Sequence, residues 1–231
     1  MPQLAEGTGR EPVYVSVRIR PAVPINTLMD DEQAWLDCHP DDLWVYDKLI
    51  LSKKLGYTCG PTGVDVPKPD YYVVRPITNI MGMGIGAGVF WLDGETDLLP
   101  MGHFWCKWIT GRHLSVDYLC GNQTLCVEGF RNDDKYDLYR WNKWERVDDV
   151  VPFPDILYSL NKDYRFINCE FIDGQLIEVH LRHNPDFQND EHVLHVVWEG
   201  QDTTPPEGME FVESRDYKRV GFFKPCLLYT S

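Results

Sequence analysis

Residues 166–182 constrain the fold more than any other part of the sequence, because their pattern predicts two strands joined by a tight turn. Apolar residues alternate in both arms, namely Ile167, Cys169 and Phe171, then Ile177, Val179 and Leu181. Strand side chains alternate between faces, so both apolar sets can be buried only if they share a face. This predicts a three-residue loop over residues 172–174 with Gly174 at positive φ, because a two-residue Asp-Gly turn would separate the sets.

The opposite face of this hairpin collects polar groups, which are Asn168, Glu170, Glu178, His180 and Arg182. Two neighbouring carboxylates repel each other unless a cation lies between them. Mg²⁺ prefers oxygen ligands and commonly takes one or two carboxylates together with substrate phosphates. The hairpin therefore has two interpretations, a metal site or the solvated face of a surface hairpin, and both remain open from these residues alone.

Composition excludes several classes of function. The net charge of −14 over 231 residues disfavours bulk nucleic-acid binding. Residues 1–12 lack the apolar run of a secretory signal, and no stretch approaches the roughly 20 apolar residues that span a bilayer. The seven cysteines include no Cys-x-x-Cys pair, which argues against a disulfide framework or a zinc site. We expect a soluble, cytoplasmic protein.

Strand patterns outnumber helix patterns along the chain. The sequence predicts helices over residues 28–38, 43–55 and 155–162, and strands over residues 13–20, 71–75, 89–92, 104–109, 114–120, 123–130 and 192–198, besides the hairpin. Residues from 200 onward look like a loop. Runs of strands separated by helices favour an α+β fold with mostly antiparallel sheets.

Four segments match known motifs in order: residues 47–57, 71–88, 104–117 and the hairpin with its Glu178-Val-His-Leu-Arg182 strand. Together they resemble the ATP-grasp superfamily, whose members join a carboxylate to an amine or similar nucleophile through an acyl phosphate. The resemblance covers residues 47–184, about three fifths of the chain. It implies two α+β lobes that enclose ATP and Mg²⁺ or Mn²⁺, with small-molecule or peptide-like carboxylate and amine substrates.

The resemblance also implies nucleotide-binding residues. Arg75 would contact phosphates, the loop containing Gly82, Gly84 and Gly86 would cover them, and Trp105 and Lys107 lie at the interdomain hinge that reads adenine. Charged groups facing the nucleotide or acceptor would be Lys48, Arg112 and Asp117. The structural alternatives are a strand-end arginine, a glycine-rich hairpin tip, core aromatic rings and solvated charges.

In the same comparison Glu170 and Glu178 match the metal carboxylates, and His180 replaces the usual asparagine. Arg182 would face the transferred phosphoryl group, and Asn184 is a candidate for substrate contact. Because Glu178 is expected to face the cleft, Glu178→Gln should abolish turnover and spare the fold. The expected function is an ATP-dependent carboxylate–amine ligase. The alternatives are a catalytically altered nucleotide-binding module and a non-enzymatic α+β interaction protein.

The expected domain organisation has three parts. Residues 1–42 form a segment that is short relative to the N-terminal domain of the family, residues 43–200 form the ATP-grasp-like domain, and residues 201–231 form a tail. Residues 226–231 resemble translated sequencing-adapter read-through, which predicts that the native chain ends differently.

Overall fold

The computed structural model describes residues 31–78, 84–131, 138–187 and 191–226. The predicted strand 13–20, Gly82 of the glycine loop and residues 227–231 of the tail lie outside this part of the chain. Its helices are α1 (Asp31–Asp37), a 3-10 helix (Pro40–Tyr46), α2 (Lys48–Lys54) and a second 3-10 helix (Asp155–Lys162). None of its helices is long and apolar enough to cross a membrane.

Two antiparallel sheets form the body of the molecule. The smaller sheet has the order β1-β4-β2-β3, with β1 Cys59–Pro61, β2 Asp70–Pro76, β3 Gly88–Leu92 and β4 His103–Lys107. The larger sheet has the order β11-β12-β10-β7-β6-β5-β8-β9, with β5 His113–Leu119, β6 Asn122–Arg131, β7 Trp141–Arg146, β8 Phe166–Ile172, β9 Gln175–His180, β10 Val193–Trp198, β11 Met209–Asp216 and β12 Arg219–Pro225. The predicted α+β class with antiparallel sheets is confirmed.

Helix α2 is a clear case of local signals fixing an element. The Asp47 carboxylate accepts a hydrogen bond from the Ile50 N–H at 2.7 Å and caps the first turn. Gly56 follows the helix at φ 76°, a conformation that glycine adopts without steric cost. The residues before this cap form a 3-10 helix instead of the predicted continuous helix over residues 43–55, because the Asp47 cap restarts the chain.

The main core lies under the hairpin end of the larger sheet. It joins apolar residues of β5, β8 and β9 to the helices, with Val45, Leu51, Val116, Leu157 and Cys169 among the most buried. A separate cluster around Tyr72 and Trp105 covers one face of the smaller sheet. The other face of that sheet remains available for a cavity.

The hairpin differs from the expectation in its turn. Ile172 pairs with Gln175, so the loop contains two residues, Asp173 and Gly174, with φ values of 49° and 72°. The three-residue loop was therefore a wrong prediction. A bulge still brings the apolar residues of both strands to one face of the sheet. Glu170 pairs with Glu178 while Phe171 pairs with Leu176, which leaves Ile177 as the extra residue. Leu176 joins the core in place of Ile177.

Four strands were missed by the sequence analysis. The tail was predicted to be a loop, but residues 209–225 form the hairpin of β11 and β12. Most residues of β11 are exposed or half-buried, so its sequence carries little apolar alternation. Strand β7 was also missed, because two tryptophans three residues apart do not fit a period of two. Strand β1 contains Gly60 and Pro61, which are poor strand formers.

Candidate functional site

A cavity of about 170 Å³ lies between the two sheets. The smaller sheet contributes Val73, Arg75, Cys106 and Lys107 to its wall, and the larger sheet contributes His113, Ser115, Asn168, Glu170, Ile177, Glu178 and His180. Tyr57 also lines it, so the cavity gathers residues from all four sequence motifs. Gly84, from the described end of the glycine loop, also lines it.

Glu170, Glu178 and His180 form a cluster that could hold a metal ion, since one ligand atom of each lies within 4.8 Å of the others. The His180 Nε2 atom is 3.8 Å from Glu170 Oε1 and 3.8 Å from Glu178 Oε2. These separations exceed a hydrogen bond. Two ligands bound at about 2.1 Å to one ion can be about 4.2 Å apart, so the three atoms fit a shared cation after small side-chain rotations.

Asp31 orients the imidazole of this cluster. The Asp31 Oδ1 atom lies 2.8 Å from His180 Nδ1. Because a carboxylate accepts hydrogen bonds, Nδ1 carries a hydrogen there, and the neutral ring then presents its Nε2 lone pair toward the two glutamates. A carboxylate behind a histidine is the usual support for a metal-binding imidazole. The donor set and its support therefore both fit a divalent ion.

Glu178 also joins the two sheets and helix α2. Its Oε1 atom is 2.8 Å from Lys48 Nζ and 3.1 Å from Arg75 NH1, and the three side chains are only 5–8% exposed. Arg75 NH2 donates to the Ile177 carbonyl at 3.2 Å. The charges of Glu170, Glu178, Lys48 and Arg75 cancel, so a divalent cation would make this end of the cavity positive and suited to a triphosphate.

Glu170 is held in its ionised form. Burial by itself would raise its pKa, but the hydrogen bond from His113 and the electrostatic interactions with His113, His180 and Lys48 together lower the pKa to about 2. The His113 Nε2 atom donates to Glu170 Oε2 at 3.0 Å. A carboxylate that stays ionised at neutral pH is ready to bind a metal without releasing a proton.

Arg182 and Asn184 follow strand β9 and reach the edge of the cavity. Arg182 makes a two-pronged ion pair with Asp31, at 2.8 Å from Nε and 2.6 Å from NH2. The backbone N–H of Asn184 donates to the Asp117 carboxylate at 2.9 Å. Burial raises the pKa of Asp117. The buried Asp117 side chain thus holds the backbone in place at Asn184.

Some of the expected site residues do not reach the cavity. The Arg112 guanidinium is exposed and pairs with Glu128 at 2.7 Å and Asp149 at 2.9 Å. The Trp105 indole donates to the Val64 carbonyl at 2.6 Å and packs against Tyr72 on the other face of the smaller sheet. Gly86 lies near Pro76 at φ 75°. Alternation along the chain explains why Arg112 and Trp105 point away from the cavity, since their neighbours His113 and Cys106 line it.

Sequence reasoning missed Asp31, His113 and an aromatic group. His113 has the same strand parity as Ser115 and Asp117, and this signal could have identified it. Asp31 lies outside the matched motifs, and no local pattern indicates its role. Trp141, Trp144 and Trp198 also line the cavity. Trp198 ends a predicted strand, whereas no strand was predicted around Trp141 and Trp144.

Known structures share this fold. No protein-family model matches the chain, and no curated protein sequence matches it. N5-carboxyaminoimidazole synthetase from Staphylococcus aureus, solved in complex with ADP, is 14% identical over 85% of this chain and 74% of its own, with a TM-score of 0.51. An ATP-grasp superfamily protein from Archaeoglobus fulgidus is 15% identical over 78% of this chain and 64% of its own, with a TM-score of 0.43. D-alanine–D-alanine ligase from Bacillus anthracis is 18% identical over 62% of this chain and 59% of its own, with a TM-score of 0.34.

The likeness to the Staphylococcus aureus structure supports the ATP-grasp fold that the motifs led us to expect. It spans slightly less than two thirds of the Archaeoglobus protein, at 64%. At such low identity the likeness concerns the fold, and fold alone does not assign an activity.

Proposed function

We propose that the protein is an ATP-dependent ligase that forms an amide-type bond from a carboxylic acid and an amine. The observation that carries this proposal is the cluster of Glu170, Glu178 and His180 facing a cavity between the two sheets. Lys48 and Arg75 lie directly behind it. Carboxylates that can hold a metal ion, next to positively charged side chains in fixed positions, form a suitable binding site for a metal-bound triphosphate.

The adenine base would lie in the part of the cavity nearest the hinge. Val73 and Cys106 of the smaller sheet and Ile172 and Ile177 of the larger sheet line the cavity and would form this part. Flat bases bind well in apolar slots with a few polar backbone groups at the rim. The bulge in β9 therefore has a proposed purpose, because it turns Ile177 into the cavity while Glu178 keeps its position.

The phosphates would lie over Glu170, Glu178 and His180, under the glycine loop that includes Gly84. A bound Mg²⁺ or Mn²⁺ would supply positive charge at the phosphate oxygens. Arg75 would contribute a second positive charge, and its buried Nε has no hydrogen-bond partner within the described chain. An unsatisfied donor of this kind is costly unless an additional group binds it.

The reaction then proceeds in two transfers. A carboxylate oxygen of the acid attacks the γ-phosphorus, the bond to the β-phosphate oxygen breaks, and ADP leaves. The amine attacks the acyl carbon of the resulting acyl phosphate, inorganic phosphate leaves with the bonding electron pair, and the nitrogen loses one proton to solvent. Arg75 and Lys48 would stabilise the negative charge of these steps, and Arg182 would join them once it is released from Asp31. This is mostly electrostatic catalysis.

ADP release tests this function. The protein, supplied with Mg·ATP, is screened against pools of carboxylic acids combined with amines. Transfer of ¹⁸O from a labelled acid into inorganic phosphate would identify the acyl phosphate. Failure to release ADP with any pool, together with tight Mg·ATP binding, would contradict the ligase assignment.

One observation favours a second candidate, a nucleotide-binding module without turnover. Asp31 occupies both prongs of the Arg182 guanidinium, so Arg182 is not available to a substrate in this conformation. Mg·ATP binding without ADP release in the wild type, and in Asp31→Ala, would support this candidate. Absence of any ATP-induced thermal shift would instead favour an interaction protein.

A further inference from the structure

Trp141 and Trp144 form an indole pair that faces the cavity. They are three residues apart and would normally point to opposite faces of strand β7. Arg131 pairs with Trp141 and Phe130 with Lys143, so Asn142 is an extra residue that turns both indoles to the same face. Their ring centroids are 4.5 Å apart.

Gly129 leaves space for this indole pair. It lies opposite Trp144 in the neighbouring strand, and a Cβ atom there would come within 2.7 Å of both Trp141 Cζ3 and Trp144 Cζ3. Indole rings are rigid, so any larger residue would displace them. A bulge and a glycine therefore combine to place two flat rings on the cavity wall.

The indole pair adjoins the metal cluster. The His113 ring contacts Trp141 edge-on at 4.6 Å and Trp144 at 5.7 Å. The same His113 donates to Glu170 at 3.0 Å. One imidazole therefore separates the indole pair from a carboxylate that would hold the metal and phosphates. A substrate whose carboxylate reaches the γ-phosphate would place its next atoms against these rings.

The surroundings favour a flat, uncharged group on these rings. The Arg131 guanidinium already lies 5.3 Å from the Trp141 ring and 5.7 Å from the Trp108 ring, so a second cation would be repelled. Leu138, Val196 and Trp198 complete an apolar wall. Aromatic rings pack against one another in offset or edge-to-face geometry and gain affinity beyond that of area alone.

We propose, resting on the ligase function above, that the acid substrate carries an aromatic ring separated from its carboxylate by one or two methylene groups, and that Trp141 and Trp144 bind this ring. The acid class is thus an arylalkanoic acid. The indole pair selects the acid and takes no part in the transfer steps. The adenine base binds elsewhere, in the slot between Val73 and Ile177.

Calorimetry with matched acids tests this inference. The protein is first titrated with a non-hydrolysable ATP analogue in Mg²⁺, and the complex is then titrated with phenylacetate and with cyclohexylacetate, which differ in ring flatness. We expect phenylacetate to bind roughly tenfold more tightly. Trp144→Leu should abolish that preference and leave the affinity for the analogue unchanged. Trp91→Leu, at a tryptophan 57% exposed on the smaller sheet, is the matched control.

Each outcome is decisive. Equal or tighter binding of cyclohexylacetate by the wild type, or no binding of either acid, would overturn the aromatic-acid inference while the analogue result upholds nucleotide binding. Loss of analogue affinity in folded Trp144→Leu would place adenine on the indoles and overturn it as well. No analogue binding by the wild type would overturn the proposed function itself. Should Trp144→Leu fail to fold, the wild-type preference decides alone.

Discussion

Replacing Glu178 by glutamine should destabilise the protein far more than the same change at Glu170. Glu178 neutralises two buried cations, at 2.8 Å from Lys48 and 3.1 Å from Arg75, and its side chain is 6% exposed. Removing one partner of a buried ion pair costs about 3–5 kcal/mol, because the remaining charge is left buried without compensation. Glutamine retains a carbonyl acceptor, so we expect about 3 kcal/mol for Glu178→Gln.

Glu170→Gln provides the matched comparison. Its side chain is 22% exposed and its short contact is with His113 at 3.0 Å. Losing the charge from one such hydrogen bond should cost about 1–2 kcal/mol. Both variants, and the wild type, are unfolded in urea with EDTA present, so that metal binding does not enter the comparison. A Glu178→Gln protein as stable as the wild type, or less affected than Glu170→Gln, would refute the view that Glu178 joins the two sheets.

Three further predictions concern the same cavity. Asp31→Asn should weaken Mn²⁺ binding by about 10–100-fold, because His180 loses the carboxylate that orients it, and calorimetry against Asp37→Asn, an exposed change on the same helix, checks this. Burial would raise the pKa of Asp31, but His180 and Arg182 hold it well below its usual range. The ionised Asp31 therefore adds to the free energy of unfolding above its unfolded pKa of about 3.9, and this contribution is lost as pH falls toward the folded pKa. Urea unfolding from pH 5 to pH 2 should therefore show a shallower loss in Asp31→Asn, and parallel curves would exclude the ion pair as its source. Gly84→Val should raise KM for ATP and lower kcat, because φ is 69° there and β-branched residues rarely adopt that region; unchanged kinetics would mean that this glycine is not needed.

The sequence predicted the class of fold and the grouping of Glu170, Glu178 and His180, because both depend on alternation along single strands. Parity placed Glu170, Glu178 and His180 on one face, and the structure pairs Glu170 directly with Glu178. The turn was predicted wrongly. An Asp-Gly pair strongly favours a two-residue turn, and the hairpin adopts that turn. A bulge at Ile177 then keeps the apolar residues of both strands on the same face.

The remaining errors come from long-range pairing. Asp31 reaches His180 and Arg182 across about 150 positions of sequence, and no periodicity can indicate such a contact. The expectation that Glu178→Gln would spare the fold did not take into account Lys48 and Arg75, which lie on other elements and contact Glu178; urea unfolding of the variant decides between the two expectations. The tail hairpin was missed because β11 lies at the sheet edge, where apolar alternation is weak, and because β12 is joined to the rest of the sheet by long-range pairing with β10.

Calorimetric titration of ATP into the protein tests the central claim most directly, with Mg²⁺ present, with EDTA present, and with Glu170→Gln as the comparison. The account predicts one-to-one binding that requires the divalent ion and is weakened at least tenfold by Glu170→Gln, since the variant loses a metal ligand but not the joint at Glu178. Binding that persists unchanged in EDTA and in Glu170→Gln, or no binding to the folded wild type, would contradict a metal-bound nucleotide between the two sheets.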